Sequence, residues 1–258
     1  MRVWADGRLV DPGDPVYPAT DPVPVHGLGL FETCAVVDGV VLDLDRHLAR
    51  LTRSADALGL TVGDVRSGVD AVLGPGIGRV RITVGSPRGP VVVGAPLDPR
   101  PDPAAHRSRW VRNERSPLTG HKSTAYAADA LALADARAHG ADEALLADTR
   151  GRLSEGATSN VWVEVGGEVL TPSLACGCLP GIMRARVLEW SAAAGLPVRE
   201  AELPWSVLDR VSAGEAGLAV SNALRGLVPV VALDGVPVAG TPVLAQVREL
   251  VERSRVRR

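Results

Sequence analysis

The chain has 258 residues, 46% hydrophobic and 22% charged, a balance that gives a packed globular core and excludes an intrinsically disordered chain. Lys and Arg total 28 against 30 Asp and Glu, a net charge of −2, so there is no basic excess to hold a nucleic-acid backbone or an acidic membrane. No stretch approaches the roughly 18 apolar residues of a membrane span, the opening MRVWADGRLVDPGD lacks the regions of a signal peptide, and three cysteines (Cys34, Cys176, Cys178) fit a reducing compartment; the expected location is cytoplasmic.

In chain order, a short strand turns at Asp6-Gly7 and leads into a Pro-rich loop through Pro24. LFETCAVVDGVVLDL (30–44) reads as a hairpin about Asp38-Gly39. A helix is expected from Asp45, as its N-cap, to Leu58, with Leu48, Leu51, Ala55 and Leu58 as one apolar stripe and Gly59 ending it. RVRITVG (79–85) and PVVVGAP (90–96) are strands, LDPRPDP punctuates the chain, and a further strand is expected over 109–113. Beyond Lys122, AYAADALALADARAHG is a helix stopped by Gly140. EALLAD (143–148) and NVWVEVGGEVLTP (160–172) are antiparallel strands, GIMRARVLEWSAAAG (181–195) a helix, and strands near 198–203, 216–221 and in VVALDGVPV precede a last helix over 242–254. Strands and helices mix in both halves, which predicts an α/β or α+β fold of mixed sheets in two domains. The expected division is 1–112, a linker over 113–121, and 122–258.

The 28 basic residues comprise 27 arginines and one lysine, Lys122. Arginine substitutes for lysine wherever only positive charge is needed, but guanidinium cannot act as the neutral amine that attacks a carbonyl. Codon bias alone explains an arginine-rich chain; a retained lysine is also what amine chemistry requires. Gly74-Pro-Gly-Ile-Gly78 opens a strand rather than a helix, so it is not a dinucleotide loop. Cys176-Gly-Cys178 has no second pair and no nearby histidine, and the five histidines form no H-x-x-x-H, so no metal site is expected. Around Lys122 gather weaker signals: Glu155 in LSEGATSN, the helix opening of LPGIMR, where free N–H groups attract phosphate, and Arg50 in HLAR. Together they offer an amine, a carboxylate, a cation and a helix N-terminus, the set a phosphorylated aldehyde cofactor needs.

The segments HGLGLFETCAVVDG (26–39), HLARL (47–51), GHKSTAYAADALALADA (120–136), EALLADTRGRLSEGATSN (143–160), TPSLACGCLPGIMR (171–184) and SNALRGLVPV (221–230) resemble, in order and over nearly the whole chain, the fold-type IV pyridoxal 5′-phosphate (PLP) enzymes. This class includes branched-chain and D-amino-acid aminotransferases and aminodeoxychorismate lyase. The resemblance implies a small N-terminal and a larger C-terminal domain with the cofactor between them, a small-molecule amine substrate and a homodimer. It implies Lys122 as the lysine that binds the cofactor aldehyde, Glu155 as partner of the pyridine nitrogen, and Arg50 as phosphate ligand. Ile182, Met183, Asn222 and Ala223 would supply further phosphate contacts, and Tyr126 a hydrogen bond to the 3-hydroxyl. Ala35, Ala125 and Leu28 depart from the family, standing where relatives carry arginine, asparagine and aspartate; the first removes an arginine near the substrate.

Thr33 stands where the lyases resembled have a catalytic threonine, and SNALRGLVPV is similar to their late phosphate-binding turn. The expected reaction is therefore cleavage of 4-amino-4-deoxychorismate to 4-aminobenzoate and pyruvate in folate biosynthesis, with Lys122 as base. The alternatives are a class IV aminotransferase for D- or branched-chain amino acids, in which Thr33 is an ordinary β-branched strand residue, and a non-catalytic PLP-binding protein.

Overall fold

The structure, a computed structural model, describes residues 1–256 and divides into two compact units, Met1–Arg100 with His121–Tyr126, and Pro101–Gly120 with the described residues from Ala127 on.

The first unit carries β1 (Arg2–Ala5), β2 (Arg8–Val10), α1 (Pro22–His26), β3 (Leu30–Val37), β4 (Val40–Val41), α2 (Leu44–Leu58), α3 (Val65–Val72), β5 (Arg79–Val84) and β6 (Val91–Ala95). Its sheet runs β2-β1-β6-β5-β3-β4, antiparallel throughout. Both hairpin turns read from the sequence have both central residues at positive φ, Asp6-Gly7 at 52° and 76° and Asp38-Gly39 at 50° and 78°, the backbone of a tight two-residue hairpin. Alternate residues of the strands (Leu30, Val36, Val80, Ile82, Val84, Val92) pack with Leu51 and Ala55 of α2 and Val65, Val69 and Val72 of α3.

Three details differ from the sequence reading. The Pro-rich loop contains α1, because Asp21 accepts a hydrogen bond from Val23 N–H at 2.9 Å and Pro22 takes the first helical position. Helix α2 opens at Leu44 with Asp43, not Asp45, as N-cap residue; Asp43 has a left-handed φ of 54° and makes no side-chain cap bond, so the usual sequence signal is missing. Helix α3 was not expected; Asp64 caps it through Ser67 N–H at 3.2 Å.

The second unit carries β7 (Ala104–Arg112), α4 (Ala127–Ala138), β8 (Glu143–Asp148), β9 (Leu153–Gly156), β10 (Asn160–Val165), β11 (Glu168–Pro172), α5 (Ile182–Ala193), β12 (Val198–Ala201), α6 (Val207–Ser212), β13 (Gly217–Asn222), β14 (Gly226–Pro229), β15 (Ala232–Leu233), β16 (Val236–Pro237) and α7 (Pro242–Val256). Two mixed five-stranded sheets form, β12-β11-β10-β13-β14 and β16-β15-β7-β8-β9. They share a core in which Val161, Val163 and Leu218 meet Ala105, Leu145 and Leu233, closed by α6. On the outer face of the first sheet Trp162 and Ala219 pack against Met183 and Val187 of α5 and Val247 of α7, while Ala132 and Ala136 of α4 cover Ala144 and Leu146 on the second. With both faces covered, the middles of β8 (144–147) and β10 (161–163) read as continuous apolar runs.

The strand expected over 109–113 begins at Ala104, since β7 pairs in parallel with both β8 and β15. That pairing moves the division between units to residue 100 rather than 112. Residues 113–120 are no free linker: Glu114 accepts from Thr149 N–H at 3.1 Å, inside the second unit. Residues 121–126, and Lys122 with them, return to the first unit. No helix among the described residues is long and apolar enough to cross a membrane.

Candidate active site

In the first unit Lys122 is fixed through its backbone. Phe31 N–H donates to Lys122 C=O at 2.8 Å, Thr124 N–H to Gly29 C=O at 2.8 Å, and Leu30 and Ser123 form an antiparallel bridge, so the lysine lies beside the start of β3. His121 Nδ1 meets Ser54 Oγ of α2 at 3.0 Å and anchors the segment from its other end. The side chain then passes over the only phenylalanine of the chain, with Nζ 4.4 Å from the Phe31 ring centre. The Tyr126 ring meets the same phenylalanine edge-on at 5.6 Å and 86°.

Phe31, Thr33 and Ala35 alternate with Leu30, Glu32 and Val36 along β3, and Leu30 and Val36 face the helices. Thr33 therefore lies on the face that carries Lys122, not in the helix-covered core. It pairs across the sheet with Arg81 of β5, and Arg81 in turn with Val93 of β6. The Arg81 guanidinium sits 3.9 Å from the Phe31 ring centre, and partial desolvation lowers its proton affinity, an effect that Tyr17 and Tyr126 only partly offset. Among the described residues no acidic side chain pairs with Arg81. Position 35 lacks the family's arginine, but the strand beside it brings one to the same face. The sequence reading missed Arg81; its place in RVRITVG, one of two arginines at alternate positions in a strand, is the signal that could have found it.

The opposite face holds Arg50. Its guanidinium forks onto Glu32, Nε to Oε1 at 2.8 Å and Nη2 to Oε2 at 2.7 Å, and His47 Nδ1 lies 2.6 Å from Glu32 Oε2. All three are nearly inaccessible, at 4%, 1% and 2% for Arg50, Glu32 and His47. Burial would raise the Glu32 pKa, but the Arg50 charge and the hydrogen bonds from His47 and Arg50 outweigh it and hold the carboxyl at about 2. Glu32 and His47 were not expected. Their signal is a lone acid in an apolar strand and a polar stripe at 47, 50 and 54 beside the leucine stripe of α2.

In the second unit Glu155 lies on β9, 7% exposed. Arg112 Nε stands 3.0 Å from Oε1, Leu179 N–H donates to Oε2 at 2.9 Å, and Arg112 Nη2 donates to Asp129 Oδ1 at 2.6 Å. The carboxylate is thus oriented by a guanidinium that is itself tied to the first turn of α4. Arg112, at the end of β7, is a second residue the sequence reading did not single out.

Ile182 and Met183 are the first residues of α5, where backbone N–H groups have no acceptor within the helix. A side chain on Gly181 would meet Asn160 Oδ1 at 2.0 Å, so only glycine allows this approach. Asn160 pairs in register with Ser221 on β13, which sets the α5 N-terminus beside the 222–226 turn. In that turn Asn222 Oδ1 accepts from Leu224 and Arg225 N–H at 3.1 and 3.0 Å, and Arg255 donates to Ala223 C=O at 2.9 Å. Asn222 thus shapes the turn through its side chain. The structure brings Lys122, Thr33 and Tyr126 to one sheet face, Arg50 to the other, and Ile182, Met183, Asn222 and Ala223 together at one end of the second unit.

Residues 29–233 match the family described as amino-transferase class IV. A putative branched-chain-amino-acid aminotransferase of Methanocaldococcus jannaschii is 27% identical over 91% of this chain and 88% of its own length. The crystal structure of a branched-chain aminotransferase from Thermoproteus uzoniensis with norvaline superposes with a TM-score of 0.85 at 26% identity, covering 98% of this chain and 94% of that one. A bifunctional aminodeoxychorismate lyase / D-amino acid transaminase of Mycobacterium tuberculosis is 42% identical over 65 residues, 25% of this chain and 22% of its own.

A pyridine aldehyde bearing a phosphate requires an amine, a carboxylate for the ring nitrogen and clustered N–H donors. The residues present fit: one lysine held by its backbone, one buried and oriented carboxylate, and a helix N-terminus whose glycine admits no side chain. The chain belongs to the class IV aminotransferase family and is an enzyme of the PLP-dependent kind.

Proposed function

We propose that this enzyme transfers the amino group of aliphatic α-amino acids, branched-chain ones foremost, to a keto acid. The observation that carries the reading is Arg81, a cation with no acidic partner on the sheet face of the sole lysine. An amino acid presents to that face an amine for the Lys122 side and a carboxylate for Arg81. Around Arg81 the same face carries Phe31, Ala35 and Val93 beside the Thr33 hydroxyl and Arg79, so apolar surface that suits an aliphatic side chain adjoins the cation. The full-length likeness to branched-chain aminotransferases supports the same substrate class.

When bound, PLP supplies an aldehyde for the substrate amine and a ring that accepts electrons. Lys122 would hold the aldehyde, and its Nζ would take the proton from the substrate Cα. Glu155, aligned by Arg112 and the Leu179 N–H, holds the proton on the pyridine nitrogen. By the family resemblance, the N–H groups of Ile182 and Met183 and the 222–226 turn would bind phosphate, and Arg50, its plane fixed by Glu32, would add charge. Tyr126 serves the 3-hydroxyl. The proposed assembly is a homodimer, which sedimentation measures directly.

A second reading, cleavage of 4-amino-4-deoxychorismate, is favoured by Thr33, whose place on the Lys122 face opposite Arg81 puts a hydroxyl where a relayed proton could pass. Product analysis separates the two. Incubated with L-leucine, L-valine or L-isoleucine and 2-oxoglutarate, the PLP-loaded enzyme should form the matching keto acids. Release of pyruvate and 4-aminobenzoate from 4-amino-4-deoxychorismate, with no keto acid from any amino acid, would establish the lyase instead.

A further inference from the structure

The second unit assembles a cluster that the spacing of histidines along the chain conceals. His106 projects from β7, while Asp135 and His139 stand four residues apart at the end of α4. His139 N–H donates to Asp135 C=O at 3.2 Å, so His139 continues the helix and shares a face with Asp135. One donor atom from each of the three side chains lies within 4.8 Å of the others.

The outer contacts decide what these atoms can do. His106 Nδ1 lies 2.8 Å from Asp234 Oδ1, and His139 Nδ1 lies 2.8 Å from the backbone oxygen of Asp135. Both partners only accept, so each Nδ1 carries a proton, which leaves Nε2 as the nitrogen available to an ion. Metal-binding histidines are held in this way, with one nitrogen donating to a carboxylate or carbonyl and the other left for the ion. Asp234 is itself pinned: it accepts from Arg107 N–H at 2.9 Å, and its second oxygen lies 3.4 Å from Arg107 Nε. His106 Nε2 stands 3.9 Å from Asp135 Oδ2, and the two imidazoles stack at 4.3 Å and 7°. A tetrahedral site spaces two nitrogens about 3.3 Å apart. Reaching it takes rotation of the exposed His139 ring out of the stack, at the expense of its Nδ1 contact with the Asp135 backbone oxygen, so His106 is the ring held in place beforehand. Arg109, 71% exposed and 3.8 Å from Asp135, would swing aside.

We propose that His106 Nε2, His139 Nε2 and one oxygen of Asp135 form a binding site for a divalent cation of the zinc class, with Asp234 orienting His106. Two imidazoles and one carboxylate suit zinc, nickel or copper rather than magnesium, which prefers oxygen ligands. Water completes the coordination. Because the ligands join β7 to the end of α4, binding stabilises the second unit by linkage.

Titration of the PLP-loaded protein with zinc chloride in a calorimeter, paired with thermal unfolding, tests this. One zinc per chain and a raised Tm are expected, with magnesium chloride giving neither. His106→Gln and His139→Gln should each weaken zinc binding at least tenfold, and Asp234→Asn, which removes only the orienting carboxylate, roughly 10–100-fold. Cys176→Ser/Cys178→Ser removes the two thiols that stand close together and should leave the titration unchanged. No zinc uptake, uptake that survives the His106→Gln/His139→Gln double variant, or uptake lost with the two cysteines would overturn the proposal. Amino-transfer activity enters none of these readouts, so the site stands or falls apart from the reaction.

Discussion

Arg50 grips Glu32 through two parallel hydrogen bonds of 2.7 and 2.8 Å, and both side chains are buried between α2 and β3. Removing the acid takes from the buried Arg50 the carboxylate that its guanidinium forks onto, which costs about 3–5 kcal/mol. Glu32→Gln should lower the unfolding free energy by that amount in urea titrations at pH 7. The carboxyl is depressed to about 2 in the folded protein from an ordinary 4.5. Its stabilisation is therefore complete above pH 5 and lost as the pH falls from about 5 towards 2. The gap between wild type and Glu32→Gln should close over that interval; a gap independent of pH would remove the ion pair from the account.

Glu155→Gln keeps an oxygen for the Leu179 N–H and leaves Arg112 its bond to Asp129, so the fold and cofactor binding should persist. A neutral amide holds the pyridine proton poorly, and turnover should fall roughly 10–100-fold, the scale of a hydrogen bond to a charge. Steady-state kinetics at saturating PLP read this, and wild-type turnover would take Glu155 out of its role.

Arg81→Ala should raise KM for the amino acid and lower kcat/KM roughly 10–100-fold, while an amine lacking a carboxylate is used as before. Equal losses for both substrates would mean that Arg81 supports Phe31 rather than the carboxylate.

Much of this was legible in the sequence, because the features concerned are local. Gly59 and Gly195 end helices, Asp38-Gly39 and Gly166-Gly167 make hairpin turns, and a single lysine among 27 arginines is visible without a fold. What escaped depends on pairing at long range. Arg81 faces the lysine because β5 pairs with β3 in a particular register, and a shift of one residue would turn it into the core. Glu32 is seen as a partner of Arg50 only once α2 packs on β3, and His106 meets His139 only when α4 covers β7. The compact units divide differently from the expected domains for the same reason: no local signal says that residues 121–126 return to hydrogen-bond with the start of β3.

Thr33→Val keeps the shape and strand preference of the side chain while removing its hydroxyl. Amino transfer in this variant should stay close to wild type. A proton relay through Thr33 contributes about 10²–10⁴-fold where it operates, so a loss of that size in pyruvate release from 4-amino-4-deoxychorismate would favour the lyase reading.

The most direct test is a single turnover without any acceptor acid. PLP-loaded enzyme mixed with excess L-leucine should form one equivalent of keto acid per bound cofactor and then stop, and Lys122→Arg should form none. Keto acid from the Lys122→Arg variant, or none from wild type with any branched-chain amino acid, would contradict amino transfer by Lys122.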